Sequence, residues 1–353
     1  MNATVSALCS PTSPPAPRSS QPLPTPAQLR ARLPLSVRAA ASVQQGRQAV
    51  RAIMRGEDAR LLVIAGPCSL HESDAALDYA QRLAELAPQV SDQMLLVMRA
   101  YVEKPRTTVG WKGLLYDPQL DGSGDMAGGL ALARRLMLDI AELGLPLATE
   151  LLQPLAAGYL DDLLSWAAIG ARTSESQIHR EMVSGLDLTV GFKNGTDGSV
   201  AIACDAMRSA AHPHQHFGMD EQGRAAMIHT RGNPDTHLVL RGGHAGPNYQ
   251  PDAVAAACTA LQAQGIAPGL IVDCSHANSG KDPARQPQVL ESVVAQRLAG
   301  QASLRGVMLE SHLFAGGQPL SKELKYGVSV TDACLGWEST AQALLRAADA
   351  LRG

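Results

Sequence analysis

The chain has 353 residues, 45% of them hydrophobic, and a formal net charge of −3. That length can bury one barrel-sized core or two smaller ones. The mild acidity excludes bulk attraction to nucleic acid or an anionic membrane, and no apolar run approaches the roughly 18 residues of a membrane helix.

The first 27 residues hold seven Pro and five Ser and lack the apolar stretch of a secretory signal. No Asp or Glu precedes Glu57, as in an organelle transit segment, but so many prolines do not suit an amphipathic targeting helix. The expectation is a disordered tail over 1–27, then an N-terminal helical extension over 28–60. Six scattered cysteines without a CxxC read as reduced thiols, and the protein is expected in the cytoplasm. From residue 61 onward, short Val/Ile/Leu-rich runs recur. Strands are predicted near 61–65, 94–99, 146–150, 167–171, 189–193, 237–241, 269–274 and 305–310. Helical patterns lie between most of them. In 72–87, Ala76, Tyr79, Ala80, Leu83, Leu86 and Ala87 share one face, and Ser69 with Glu72 has capping-box spacing.

Eight strands with helical crossovers predict an α/β fold, a (β/α)₈ TIM barrel over 61–353, with a doubly wound sheet as competitor. The long gap after the fifth strand holds a helix near 198–211 and then an inserted β-hairpin at about 212–231, turning at Gly223.

Polar residues cluster at the predicted strand ends. Cys68 follows the first strand; Arg99 ends the second, with Lys104 and Arg106 beyond it. Glu150 ends the third and Arg172 follows the fourth. Lys193 and Arg241 end the fifth and sixth, and His276 follows the seventh. Glu310 ends the eighth, and Asp332 lies in the loop after it. In a barrel these ends form one rim, where active sites are built. Six of the residues are cations, which implies two anionic substrates or one with several anionic groups. With Glu150 set aside as a partner of the cations, Cys68, His276, Glu310 and Asp332 remain. A thiolate, an imidazole and two carboxylates suit a divalent transition metal better than Mg²⁺ or Ca²⁺. Cys274 is a rival ligand, but it lies in the apolar run GLIVDC and reads as buried. His212, His214 and His216 alternate and would share a face of one strand. They sit in the insertion, away from the rim, and read as an exposed or interface hairpin.

The stretches AGPCS, MRAYVEKPRTTVGWKGLLYDP, SWAAIGARTSESQIHREMVSGL, VGFKNGTDG, LRGGHAGPNY, DCSHANSGKD, MLESHL and YGVSVTDACLGWE carry a resemblance. Together they are similar to the type I (microbial) 3-deoxy-D-arabino-heptulosonate 7-phosphate synthases, also called phospho-2-dehydro-3-deoxyheptonate aldolases, over about residues 28–350. The resemblance implies condensation of phosphoenolpyruvate with erythrose 4-phosphate at the first step of the shikimate pathway. It implies that Arg99, Lys104, Arg172, Lys193 and Arg241 surround phosphoenolpyruvate, and that Lys104, Arg106 and Thr107 face the sugar phosphate. Glu150 would hold a water or order the cations, and Lys104 with His276 would handle protons. Cys68, His276, Glu310 and Asp332 would bind one divalent ion, Mn, Fe, Co or Zn. An aromatic amino acid effector is implied near Leu151, Met182, Val183, Asp187, His216 and Gly218, with tyrosine favoured by Gly218, in a homodimer or homotetramer. Within the same chemistry, 3-deoxy-octulosonate 8-phosphate synthase is the alternative; a non-catalytic aromatic amino acid sensor is another.

Overall fold

A computed structural model describes residues 19–353. Residues 1–18, with Cys9 and most of the expected tail, lie outside the described residues. The elements run α1 (Pro26–Arg32), α2 (Val37–Arg55), β1 (Leu61–Gly66), α3 (Ser73–Val90), β2 (Met94–Arg99), α4 (Met126–Glu142), β3 (Leu147–Glu150) and α5 (Pro154–Leu160). They continue β4 (Trp166–Ile169), α6 (Gln177–Val183), β5 (Thr189–Lys193), α7 (Ala201–Ala210), β6 (Gln215–Met219), β7 (Ala225–His229) and β8 (Thr236–Leu240). Last come α8 (Pro251–Ala263), β9 (Leu270–Asp273), α9 (Gln286–Leu298), β10 (Leu304–His312), β11 (Leu335–Gly336) and α10 (Trp337–Arg352).

β1, β2, β3, β4, β5, β8, β9 and β10 pair in parallel in that order, and β10 pairs back onto β1, with Leu62 opposite Gly306 and Gly66 opposite Glu310. The sheet is therefore a closed eight-stranded barrel with helices around it. β1 is buried along its whole length, as a strand covered on both faces must be. Inside the barrel, Leu62, Ile64, Val97, Tyr101, Ala148, Trp166, Ala168, Val239, Ile271 and Met308 pack together. Gly191 leaves the room that Trp166 fills, since a Cβ there would fall 2.6 Å from Trp166 Cζ2 and Val239 Cγ2. Outward-facing residues meet the helices; Ala76, Tyr79, Ala80, Leu83 and Leu86 of α3 are buried against the strands, on the face the periodicity predicted.

The N-terminal extension closes the barrel floor. Val50 and Ile53 of α2 are fully buried within the inner cluster. Arg51 and Arg55 hold Asp235, just before β8, at 2.7 and 2.6 Å. α1 starts earlier than the expected tail boundary of 27. Thr25 and Gln28 form a reciprocal cap, so Pro26 and Ala27 already belong to the first turn. The capping box expected from Ser69 and Glu72 does not form. α3 begins at Ser73 and Glu72 makes no side-chain cap. Both side chains serve another segment: Ser69 Oγ bonds Thr331 Oγ1 at 2.8 Å, and Glu72 accepts from Gly327 N at 3.3 Å.

β6 and β7 form the antiparallel hairpin, with Gly223 in the left-handed region at φ 76°. The three histidines do not share one strand. His212 and His214 precede β6 and bond the Arg208 and Ser209 carbonyls of α7; only His216 lies on β6. No described helix is long and apolar enough to cross a membrane.

Candidate active site

The barrel strands end at one cavity of about 390 Å³. Arg99, Lys104, Arg106, Arg172, Lys193 and Arg241 all line it, with Thr107, Glu150, His276, Glu310 and Asp332. Arg99 and Lys193 are the last residues of β2 and β5. Arg241 falls one residue past β8, Arg172 three past β4 and His276 three past β9. Glu310 sits inside β10, which runs on to His312 rather than ending at the glutamate.

The cations are not equivalent. Arg99 is buried, with its Nη2 3.0 Å from Glu310 Oε1, its Nε donating to Pro67 O at 3.1 Å and its guanidinium carbon 3.4 Å from the Tyr101 ring centre. Lys193 Nζ lies 2.9 Å from Asp273 Oδ2, and both groups are buried. Each of these charges is matched by a carboxylate inside the barrel mouth. Arg106, Arg172 and Arg241 make no ion pair among the described residues, so their charge faces the cavity. Arg forks left unpaired over a cavity are suited to phosphate and carboxylate.

Cys68, Glu310 and Asp332 each bring one donor atom within 4.8 Å of the others. Cys68 is positioned by the turn after β1. Asp332 is a loop residue, held there because Cys68 N donates to Cys334 Sγ at 3.4 Å and Ser69 bonds the neighbouring Thr331. Lys104 Nζ donates to Cys68 Sγ at 3.0 Å. Burial and the nearby Glu310 push the Cys68 thiol up to about 11 against the pull of Lys104. Burial works against the Lys104 ammonium, yet Cys68 and Glu310 hold it well above its ordinary range.

His276 stands beside this trio and not within it. Its backbone is left-handed at φ 55°, and Nδ1 lies 2.9 Å from Asp273 Oδ2 and 2.7 Å from Ser275 Oγ. Cys274, the rival thiol, is fully buried and bonds Val272 O at 3.8 Å. Asp273 was not a candidate from the sequence. Burial opposes its charge, but Lys193, His276 and Ser275 hold it well below the usual carboxylate range. An acidic residue closing the apolar run LIVD was the available signal. Lys281, which also lines the cavity, was missed in the same loop. Glu150 is buried at the end of β3, and a side chain at Gly170 would collide with its carboxylate.

The expected effector residues are spread over several elements. Leu151, Met182 and Val183 are buried. Asp187 is exposed and pairs with Arg51 at 3.0 Å. His216 lines an open hollow on the hairpin with Phe217 and Met227. Gly218 faces Ile228, whose Cγ1 would lie 2.6 Å from any Cβ there.

A parallel barrel with a cation-lined mouth and a thiol–carboxylate cluster on its rim defines a barrel enzyme for small polyanionic substrates. Residues 35–345 match the family described as DAHP synthetase I. The chain is 55% identical over 329 residues to the Tyr-sensitive phospho-2-dehydro-3-deoxyheptonate aldolase of Escherichia coli K12, covering 92% of each. It is 46% identical to the Phe-sensitive enzyme of the same organism, covering 93% of this chain and 94% of the other. The solved structure of the Francisella tularensis phospho-2-dehydro-3-deoxyheptonate aldolase superposes with a TM-score of 0.93 at 41% identity, over 95% of this chain and 98% of that one. The chain belongs to the DAHP synthetase I family.

Proposed function

We propose that this chain condenses phosphoenolpyruvate with erythrose 4-phosphate and water, giving 3-deoxy-D-arabino-heptulosonate 7-phosphate and phosphate. The observation that carries the reading is the meeting, in one cavity, of unpaired Arg106, Arg172 and Arg241 with Glu310 and Asp332, behind which Cys68 completes a donor cluster.

Arg172, Lys193 and Arg241 bind the carboxylate and phosphate of phosphoenolpyruvate. Arg99, already paired with Glu310, orients that carboxylate and adds positive field. Arg106 and Thr107 hold the sugar phosphate, and Lys104 reaches both substrates. C3 of phosphoenolpyruvate bonds to the aldehyde carbon, and Lys104 supplies a proton to the oxygen that becomes a hydroxyl. Water adds at C2, with Glu150 orienting it and His276 sharing proton transfer. The hemiketal phosphate then collapses by C–O cleavage and releases phosphate.

A sulfur and two carboxylates at mutual ligand distance fit a divalent transition ion. Cys68, Glu310 and Asp332 would hold it. His276 would be the fourth ligand through Nε2, because Nδ1 faces Asp273 in the manner of a carboxylate–histidine pair behind a metal. When bound, the ion supplies Lewis-acid polarisation of the aldehyde oxygen. Mn, Fe, Co and Zn all suit this donor set.

Assay of chelator-stripped protein, with each ion restored singly, tests the reading. Phosphoenolpyruvate is expected to be consumed only with an ion and erythrose 4-phosphate both present. No consumption with any of the four ions overturns the reading in favour of a sensor. Preference for arabinose 5-phosphate overturns it in favour of the octulosonate enzyme.

The same reading includes feedback inhibition by an aromatic amino acid, tyrosine first. The 55% identity to a Tyr-sensitive relative supports it. Insensitivity to tyrosine, phenylalanine and tryptophan, each tested alone, removes it. Assembly into two or four copies is part of the reading, supported by Phe217 and Met227, 84% and 65% exposed on the hairpin. Light scattering of the purified protein reads it.

A further inference from the structure

Next to Lys104 is a carboxylate that the reaction above does not use. Glu103 is 3% exposed, and every hydrogen bond it makes comes from a donor. Its Oε2 accepts from the backbone N–H groups of Leu152 and Gln153, both at 3.3 Å, in the segment after β3. Its Oε1 accepts from Tyr116 Oη at 3.2 Å. An ionised carboxylate is acceptor-only and satisfies all three donors; a protonated one carries an O–H that only the Tyr116 hydroxyl, by reversing its bond, could accept, and it is a weaker acceptor for the two backbone amides.

The segment that Glu103 belongs to carries the substrate cations. Between residues 102 and 116 the chain folds back on itself. Lys104 N donates to Lys112 O at 2.8 Å, Leu115 N donates to Val102 O at 3.1 Å, and Arg106 Nε donates to Trp111 O at 2.7 Å. At the crossing only glycine fits: Gly113 has φ 114°, and a Cβ there would collide with Val102 O. The loop is thus a self-bonded flap, and Glu103 joins it to the turn after β3. From the other side, His179 of α6 fixes that turn, its Nε2 2.8 Å from Leu152 O and its Nδ1 shared with Ser176 Oγ.

Taking the condensation reading as its basis, we propose that Glu103 is a positioning residue. As a carboxylate, it pins the Lys104–Arg106–Thr107 flap to the turn after β3 and so sets affinity for the sugar phosphate.

The charge state of this pin is pH-dependent in the working range. Burial raises the Glu103 carboxyl to about 7, against the pull of the Gln153 and Leu152 amides and the Tyr116 hydroxyl, with Glu150 adding to the rise. Tyr116 and Glu150 are the titratable groups facing it among the described residues. Lys112 stands beyond, 5.9 Å from the Tyr116 ring centre, and His179 acts only through the Leu152 carbonyl. As pH falls through 7 the carboxylate takes a proton and the pin loosens.

Glu103→Gln copies the protonated acid in shape and charge. At pH 8 it should raise KM for erythrose 4-phosphate roughly tenfold, with a much smaller change for phosphoenolpyruvate. The variant-to-wild-type ratio should shrink towards one as pH drops below 7, because the wild type then carries the neutral acid as well. Taking the ratio cancels ionisation of the substrate phosphate, near pH 6. Tyr116→Phe removes a donor to the charged form and should move the wild-type limb to higher pH. A ratio that is constant with pH, or equal rises in both KM values, overturns the proposal.

Hydrogen exchange gives a readout without turnover. In Glu103→Gln, the Leu152 and Gln153 amides and residues 104–112 should exchange faster than wild type at pH 8 and equally at pH 6. Unchanged exchange at pH 8 overturns the proposal even if the protein is active. Changed exchange in a protein without condensation activity would instead place the fault with the functional reading.

Discussion

The Lys193–Asp273 pair gives the sharpest test of how the barrel mouth is built. The ammonium is 4% exposed and the carboxylate fully buried, 2.9 Å apart. Asp273 also receives His276 Nδ1 at 2.9 Å and Ser275 Oγ at 2.6 Å. Asp273→Asn keeps the shape but leaves a buried ammonium without its counter-charge. Removing one member of such a pair costs about 3–5 kcal/mol. Lys193→Met leaves Asp273 two other donors, so its cost should be nearer 2 kcal/mol. With both changed, no uncompensated charge remains. The double variant should therefore recover about 2 kcal/mol relative to the sum of the singles. Urea unfolding, followed by Trp fluorescence at one protein concentration, measures all four corners of this cycle. Turnover should be lost in the two variants that lack Lys193, because Lys193 is a substrate ligand in the proposed reaction. Additivity within about 0.5 kcal/mol would show that the two charges do not depend on each other, and would refute the argument.

Cys68→Ala should abolish metal-dependent turnover and lower bound metal while the fold persists. Cys274→Ala should keep activity and cost about 1 kcal/mol, and reversed results would mean that the wrong cysteine was assigned. Lys104→Met should collapse turnover with the fold intact; unchanged turnover would remove its proton role. His237 gives a pH prediction. Burial holds its imidazole down at about 3, and its Nε2 accepts the Trp166 indole N–H at 3.2 Å. The unfolded chain takes up this proton near pH 6.5 and the folded chain does not, so stability is present above 6.5 and lost as pH falls towards 3. About 2 kcal/mol should be gone by pH 5. His237→Gln should flatten that limb between pH 5 and 7.5 in urea midpoints, and an unchanged slope would contradict it.

The strands were legible because a parallel barrel buries both faces of each one, so runs such as LLVIA stand out without any alternation to decode. The rim was legible because chemistry collects where those runs stop: Arg99, Glu150 and Lys193 are the last residues of their strands. What escaped depends on partners remote in sequence. Lys193 and Asp273 are 80 residues apart, and nothing local in either segment announces the pair. Ser69 and Glu72 carried a valid helix-start pattern, yet a loop more than 250 residues away took both side chains. Glu103 was visible in EKPRTT but silent, because its meaning lies in the backbone amides of Leu152 and Gln153. The α2 helix looked like a peripheral extension, since an amphipathic face does not reveal what it covers.

That helix also sets an order of events. α2 leaves the ribosome before any barrel strand, and its Val50 and Ile53 belong to the same buried cluster as Met308 and Ile271. β1 likewise waits for β10 before the cylinder can close, Leu62 meeting Gly306. At about 5–20 residues per second, synthesis separates plug from completed floor by tens of seconds. Throughout that interval the first apolar surfaces made are the last to be covered. The nascent chain must therefore be shielded or kept in provisional contacts until its C-terminal quarter exists. A fragment lacking β10 would keep α2 and β1 but lose the strand that seals them.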